Sequence, residues 1–575
     1  MKPKGTCDPM IVLSQTPKYM ISFGAAIVLI TGLVTVQAKS HDTVALTGVI
    51  GSEGEKSLEG VLVSAKSSGE TVTVTVVTDK EGRYSFDANR LKPGTYNIAI
   101  RAIGYDLATP NLVAHVDTKP TELDIKLTKT RDLASQLSAA EWLMSVPGTP
   151  AQKDQLYTCI ECHTATPIVS SKYDAAGWEP TIGRMRNYSP QSVLTAPIML
   201  PYHETQRPSD AEFAKYLSSI NLSSKSKWDF DLKTLPRPAG ADTRVVVTEY
   251  DLPNSNRQPH DVVIDAEGMI WYDDFALPIL GRLNPRTGEV KEWNLPELKP
   301  GFPDGALDLE LDSDGNPWIA RVFQAGVSKF DKKTEKIVSW KVPAQYDTPH
   351  TRTTFLAIAP QHFVWLDDST GRRMDKLDPA TGKIETYPTF PGWDRPALDI
   401  GVGMKGNHSE IGHLVYGIGV DSNGVGYLAD RAGGNIGEID PHTGKVVFYP
   451  TPSPNSGPRR LHIDGEDQVW FAENYALNFA HFDPKTKQFQ EWPDPTPWDA
   501  PYDVVRDKDG YLWTGGMTTD LVTRFNPKTG QFAKYLLPGL GVNIRRVEID
   551  NSSPRPTFWV GENHRAKIAK VEPLE

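Results

Sequence analysis

Pro259-His260-Asp261-Val262-Val263-Ile264-Asp265-Ala266-Glu267-Gly268-Met269-Ile270-Trp271-Tyr272 is followed, after a further apolar run, by a second turn, Asn284-Pro285-Arg286-Thr287-Gly288. Apolar runs of strand length, separated by Asp/Gly and Pro/Gly turns, read as short β-strands. The unit then recurs. An aromatic closes a short strand at Trp271, Trp318, Trp365, Tyr427, Trp470, Trp513 and Trp559, with spacings of 47, 47, 62, 43, 43 and 46 residues. An Asp-x-x-Gly-like turn precedes several of them, as at Asp312-Ser313-Asp314-Gly315 and Asp507-Lys508-Asp509-Gly510.

Periods in the forties with four strands per unit describe a β-propeller, and seven aromatics predict seven blades over residues 244–575. The last repeat stops at Val571-Glu572-Pro573, before an outer strand of its own. Residues 244–253 supply that strand, so the ring is expected to close by pairing its two ends and removing a free edge.

Aligning the repeats sets His260, Tyr416, Arg459, Tyr502 and Arg545 at one inner-strand position, with Leu307 and Thr354 completing the set. The position three after the aromatic holds Asp274, Arg321, Asp368, Asp430, Glu473, Gly516 and Glu562. If both sets face one channel mouth, Arg459 and Arg545 can clamp an acidic ligand, and carboxylates such as Glu473 and Glu562 can hold Mg²⁺ or Ca²⁺ through oxygen. An insertion at His408-Ser409-Glu410-Ile411-Gly412-His413 is expected to form a loop over the channel.

The blades Gly457-Pro458-Arg459-Arg460…Val469-Trp470-Phe471-Ala472-Glu473 and Pro259-His260-Asp261-Val262…Ile270-Trp271-Tyr272 resemble the virginiamycin B (streptogramin) lyase family. The resemblance implies a propeller that opens a cyclic depsipeptide by elimination, with Mg²⁺, histidines and glutamates at the channel mouth. The family places His after Pro in its late blades, where this chain has Pro501-Tyr502 and Ile544-Arg545; only Pro259-His260 keeps the pair.

A second motif names a cofactor. Cys159-Ile160-Glu161-Cys162-His163 has the Cys-x-x-Cys-His spacing of covalent c-type haem attachment. Two thiols about one helical turn apart can bond the two vinyl groups of one porphyrin, and His163 is then the proximal iron ligand. Besides this pair the chain has only Cys7, so neither a four-ligand zinc site nor a disulfide framework competes. Residues 131–222 around the motif carry helical signals. Thr149-Pro150 starts a helix, Ser209-Asp210-Ala211-Glu212 forms a capping box, and Phe213, Tyr216, Leu217 and Ile220 fall on one helical face. This resembles a small all-α class I cytochrome c domain. Trp178-Glu179-Pro180-Thr181-Ile182-Gly183-Arg184-Met185 resembles the segment of periplasmic cytochromes that supplies the sixth ligand, implying Met185, with Met199 and then His203 as alternatives.

Residues 43–128 alternate with period two, as in Thr71-Val72-Thr73-Val74-Thr75-Val76-Val77, and read as a β-sandwich. The order Gly60-Val61-Leu62-Val63, Thr78-Asp79-Lys80-Glu81-Gly82-Arg83-Tyr84-Ser85-Phe86, then Leu91-Lys92-Pro93-Gly94-Thr95-Tyr96 resembles a carboxypeptidase regulatory-like domain, an accessory sandwich. Residues 1–38 read as a signal peptide: Lys2, Lys4 and Lys18, an apolar run over 19–36, and a small-residue site at Val36-Gln37-Ala38. Export to a bacterial periplasm is therefore expected, with membrane attachment only if that segment stays uncleaved.

The sequence thus predicts a multidomain, mainly β chain: sandwich, small all-α haem domain, seven-bladed propeller. A formal net charge of −11 argues against nucleic acid as a partner. The leading expectation is a periplasmic c-type haem protein with an electron-transfer or oxidoreductase role, the propeller binding a redox partner or small-molecule substrate. A metal-dependent lyase acting on a cyclic ester is the second reading, and a non-catalytic, redox-sensing binding protein the third.

Overall fold

The computed structural model describes residues 44–193, 196–201, 210–368, 373–390 and 413–575. The expected signal segment, Ser209, His203 and most of the insertion before His413 lie outside the described residues.

Alternation builds the sandwich. In strand Gly94–Arg101 the side chains of Tyr96 and Ile98 are buried between exposed neighbours, the pattern of a sheet with one face in a core. One sheet runs Arg83–Asp87, Val44–Ser52, Ile125–Lys129, Tyr105–Leu107. The other contains Val72–Val77, Leu62–Ser67, Gly94–Arg101 and Val113–Val116. Leu46, Ile50, Val63, Tyr84, Phe86 and Ile98 fill the space between them.

Six four-stranded antiparallel sheets follow, at 259–294, 308–341, 356–388, 415–450, 458–493 and 505–536. The seventh consists of Ile544–Asp550, Thr557–Glu562 and Lys567–Pro573, completed by Val245–Asp251. Successive blades adjoin in order, and Ile544–Asp550 packs on Pro259–Ile264 to close the ring. The far edge of Val245–Asp251 is not free either: it pairs with Val72–Val77 of the sandwich, from Val246 opposite Val76 to Tyr250 opposite Val72. One eight-stranded sheet therefore runs from the seventh blade into the sandwich, so two edges that would otherwise template aggregation satisfy each other.

The repeat has a physical basis in its Asp. Asp265 accepts the indole N–H of Trp271 at 2.8 Å and the backbone N–H groups of Glu267 and Met269. The same indole bond recurs from Trp318 to Asp312, Trp470 to Asp464 and Trp513 to Asp507. The third and seventh blades have Ala359 and Ser553 at this position, and the indole N–H groups of Trp365 and Trp559 are buried without a hydrogen-bond partner.

Between sandwich and propeller lie five α-helices among the described residues: α1 (Ala139–Ser145), α2 (Pro150–Ile160), α3 (Thr166–Val169), α4 (Ala175–Met185) and α5 (Asp210–Ile220). Ser138 with Glu141 and Thr149 with Gln152 form capping boxes for α1 and α2. A separate all-α domain does not form. Trp142, Leu156, Tyr157, Ile160 and Leu217 share one apolar core with Phe275, Phe323, Tyr416, Tyr475 and Tyr502 of the propeller. The helical segment is too small to bury its apolar faces alone and completes its core on the propeller mouth.

The Asp–Trp bond is testable. Asp507→Ala leaves the buried Trp513 N–H without an acceptor and is expected to cost about 1–3 kcal/mol, read as a lower urea midpoint with an unchanged slope.

Candidate functional site

Four of the inner strands are bulged where they reach the channel. Register shifts fall between Pro259 and Val262, Val415 and Ile418, Pro458 and Leu461, and Ile544 and Val547. A bulge re-aims side chains that would otherwise alternate. In the first, fifth and seventh blades two consecutive side chains therefore enter the channel network, building an upper and a lower tier.

The upper tier brings together His260, Tyr416, Arg459, Tyr502 and Arg545, the aligned position of the sequence. The hydroxyls of Tyr416 and Tyr502 lie 2.8 Å apart, and Tyr502 is 3.3 Å from His260 Nε2. His260 Nδ1 faces Asp261 Oδ1 at 2.8 Å, so the proton is assigned to Nδ1 and Nε2 is the acceptor. His260 is 0 % exposed. Burial pushes its pKa down to about 4 despite the pull of Asp261, so the ring is neutral at pH 7. The Arg459 guanidinium lies over both tyrosine rings, 4.3 Å from the centroid of Tyr502 and 4.8 Å from that of Tyr416.

The acidic ligand of the arginines is the chain itself. Glu161, at the carboxyl end of α2 between Cys159 and Cys162, reaches into the mouth. Its Oε1 accepts from Arg431 Nη2 at 2.9 Å and Arg459 Nη1 at 3.1 Å. Its backbone carbonyl accepts from Arg545 Nη2 at 2.6 Å. Burial by itself would raise the Glu161 pKa, but Arg431, Arg459 and Arg545 outweigh it and hold the carboxyl below its ordinary value. The upper tier is thus shut beneath the Cys-x-x-Cys segment.

The lower tier is an ion network that the repeat alignment missed. Arg460 binds Asp261 at 2.7 Å, pairs with Asp308, and approaches Asp503 at 3.7 Å. Arg546 reaches Glu310 at 2.8 Å and Asp261 at 3.4 Å. His462 adds a contact to Asp503 at 2.8 Å. His260, Asp261 and Asp273 could bring three ligand atoms within 4.8 Å of one another, but Asp261 already has Arg460 and Arg546 as its cations. Burial, reinforced by Asp261, raises the Asp273 pKa well above the usual carboxylate range and favours its protonated form.

The second aligned set turns away from the mouth. Asp274 accepts the backbone N–H groups of Gln258, Ala276 and Leu277, and Asp430 those of Leu414 and Gly433. Arg321 binds Asp304 and the carbonyl of Pro296. Glu473 receives Asn478 Nδ2 at 2.6 Å, and burial with Glu491 beside it pushes its pKa up to about 9. Glu562, raised by burial and by Glu249, lies 3.3 Å from Arg565 Nε. Each of these glutamates thus sits against a glutamate of its own blade's outer strand. The expected single cavity of carboxylates and arginines is not formed, because these side chains hold their own loops and blade edges.

The cysteine motif lies on the helical side of the mouth. Cys159 and Cys162 are not disulfide-bonded. Burial pushes the Cys159 thiol up to about 11. His163 Nδ1 lies 2.8 Å from the Thr164 carbonyl, which directs Nε2 away as the available ligand atom. Thr164 rests on the loop between the sixth and seventh blades at Gly541, where an added Cβ would stand 2.5 Å from Thr164 Cγ2 and φ is +69°. Met185 ends α4 and Met199 lies beyond it, 40 % and 49 % exposed. His413 contacts Asp430 at 2.6 Å, on the blade rather than over the channel centre.

Comparison with known proteins finds the carboxypeptidase regulatory-like domain family at residues 45–128. No curated protein matches the chain. Among solved structures, virginiamycin B lyase from Staphylococcus aureus is 19 % identical, with TM-score 0.47, over 57 % of this chain and 98 % of that one. A streptogramin B lyase is 18 % identical, with TM-score 0.49, over 58 % and 100 %. The U3-55K structure is 12 % identical, with TM-score 0.42, over 56 % and 98 %. Values this low say nothing about what the chain does.

Two acid-dependent losses of stability follow. The His260 pKa is lower in the folded than in the unfolded chain, so its contribution, complete above about pH 6.5, is lost as pH falls toward about 4. Glu161 is also depressed, and its contribution fades below the ordinary glutamate range. Glu161→Gln leaves buried arginines without their carboxylate and is expected to cost about 3–5 kcal/mol at pH 7. Urea denaturation at stepped pH should show a shallower acid loss in Glu161→Gln below the glutamate range, and in His260→Gln between pH 6.5 and 4.

Proposed function

We propose that the chain is an exported c-type haem protein with an electron-transfer or oxidoreductase role, its propeller holding the haem segment and facing a substrate or partner. One observation carries the reading: Cys159 and Cys162 flank a residue fixed in the channel mouth, and beside them His163 has Nδ1 at the Thr164 carbonyl and Nε2 available. That is the donor set covalent haem attachment needs, with the second contact that orients an iron-bound imidazole.

Other features fit. A redox-active thiol pair has a depressed pKa, whereas burial raises that of Cys159. Met185 and Met199 are two of the exposed large apolar side chains of the described surface, available to cover a porphyrin face. Met185 is the favoured sixth ligand and Met199 the alternative. When bound, the haem would supply one-electron chemistry at iron. The chain's own part is to hold the two sulfurs one helical turn apart, to fix the His163 ring through Thr164, and to seat the segment through Glu161 on a rigid ring.

The lyase reading needs a base open to substrate. His260 is instead sealed beneath Glu161 and neutral because it is buried, which supports that reading less.

The test is the oxidised and dithionite-reduced absorption spectrum of the chain matured in a host that attaches c-type haem. A low-spin c-type spectrum absent from Cys159→Ala, Cys162→Ala is expected. Met185→Ala should abolish the sulfur-to-iron charge-transfer band while Met199→Ala keeps it. An unmodified chain without bound haem would overturn the proposal.

A further inference from the structure

Strand Gly94–Arg101 buries Tyr96 and Ile98 in the sandwich core and leaves Asn97 and Ala99 exposed on its other face. That face borders a cavity of about 840 Å³, whose remaining walls are the linker at 235–238 and the loops and outer strand of the sixth blade. A cleft of this size between domains suits a small organic ligand. Its edges are fixed by hydrogen bonds. Arg101 donates to the Leu537 carbonyl at 2.7 Å and to Asp520 at 2.9 Å. Arg237 donates to Glu55 at 2.7 Å, and the backbone N–H of Lys534 to Asp242 at 2.7 Å. Sandwich, linker and sixth blade are thus held around the space.

The walls are apolar and stiff. Pro236, Pro238, Pro495, Pro497 and Pro538 line the cleft, with Leu112, Leu235 and Leu521 among the aliphatic side chains. Proline offers no N–H to water and fixes its own φ. The charges of the lining differ in whether they are paired. Each of its cations already has a carboxylate: Arg101 has Asp520, Arg237 has Glu55, Lys534 has Asp494 at 2.8 Å, and Arg565 has Glu562 at 3.3 Å. The three carboxylates of the lining have only neutral donors. Asp106 accepts from the Gln136 amide, Glu141 from the backbone N–H groups of Ser138 and Leu235, and Asp242 from that of Lys534. Among the described residues none of the three is ion-paired. Burial raises the Glu141 and Asp242 pKa values, and Arg101 and Lys534 act on them from longer range without cancelling that rise. A carboxylate withdrawn from water without a counter-charge is costly.

We propose that the cleft between the sandwich and the sixth blade binds an organic cation, an amine with an apolar body: the body lies on the proline-lined walls and the ammonium group among Asp106, Glu141 and Asp242. Charge complementarity selects this class. An anion would meet three unpaired carboxylates and no free cation, and a neutral apolar molecule would strip those carboxylates of water without replacing it. The inference is independent of haem, because the lining includes neither the cysteine motif nor the channel mouth.

The experiment is calorimetric titration of the full-length chain at pH 7 with three probes that share one body and differ in the head: phenylbutylamine, phenylbutanol and phenylbutyrate. Saturable binding of one amine per chain is expected, about tenfold or more tighter than the alcohol, with the carboxylate weakest. Asp242→Asn keeps an acceptor for the Lys534 N–H and removes the charge; it should weaken the amine by about tenfold and leave the alcohol unchanged. Asp106→Asn, at an exposed position, should reduce the preference for the amine in the same direction. Ala99→Trp, also at an exposed position, fills the cleft and should weaken amine and alcohol together. The Cys159→Ala, Cys162→Ala chain should bind like the parent, which separates this outcome from the fate of the haem proposal.

No saturable heat with phenylbutylamine would overturn the inference, as would phenylbutyrate binding as tightly as the amine. A preference for the amine that is unchanged in both Asp242→Asn and Asp106→Asn would overturn it too, because the selecting charge would then lie elsewhere. So would an amine affinity unchanged in Ala99→Trp, which would place the bound molecule outside the cleft.

Discussion

A single carboxylate joins the parts of this protein. Glu161 stands at the end of a helix that has no complete core of its own, and its side chain enters a mouth lined by arginines from the fourth and fifth blades, with a third from the seventh on its carbonyl. Buried ion pairs contribute modestly to net stability but strongly oppose any arrangement that leaves one member alone. The contact therefore acts as a register mark. It fixes which face of the helical segment meets the propeller, and with it where Cys159, Cys162 and His163 lie.

The mouth tolerates such a contact because the channel is graded in charge. Bulges in the inner strands deliver two successive side chains from several blades, and the two tiers differ in sign. Arginines and tyrosines dominate above, while Asp261, Asp308 and Asp503 below are held by Arg460 and Arg546. Within the upper tier Tyr502 and His260 form a hydrogen-bonded pair in which the buried imidazole is neutral. A ring of seven short sheets keeps these groups in place because each blade contributes only one or two side chains and is braced on both sides.

The sandwich is braced by the same principle of shared edges. Strand Val245–Asp251 closes the propeller on one side and extends the sandwich sheet on the other. Shearing the sandwich away would expose the strand that closes the ring, so the accessory domain and the ring closure depend on one ladder of backbone hydrogen bonds.

Much was legible in the residues themselves. The turn Asp of five blades, the aromatic six residues on and the second turn act within a few residues of chain: in the first blade the Asp accepts the indole and two backbone N–H groups of its own hairpin. Period-two alternation marks the sandwich for the same local reason, and Cys159, Cys162 and His163 stand so close in the chain that their spacing is read without any tertiary information. Tertiary structure alone decided the rest. Arg459 and Glu161 are 298 residues apart, Arg460 and Asp261 199, and no periodicity connects such pairs. Whether Glu473 faced a channel or its own blade edge, whether two neighbouring arginines pointed the same way, and whether the helices closed a core alone depended on bulges and on packing between distant segments. Those are set by how whole blades stack, not by what any one stretch of chain prefers.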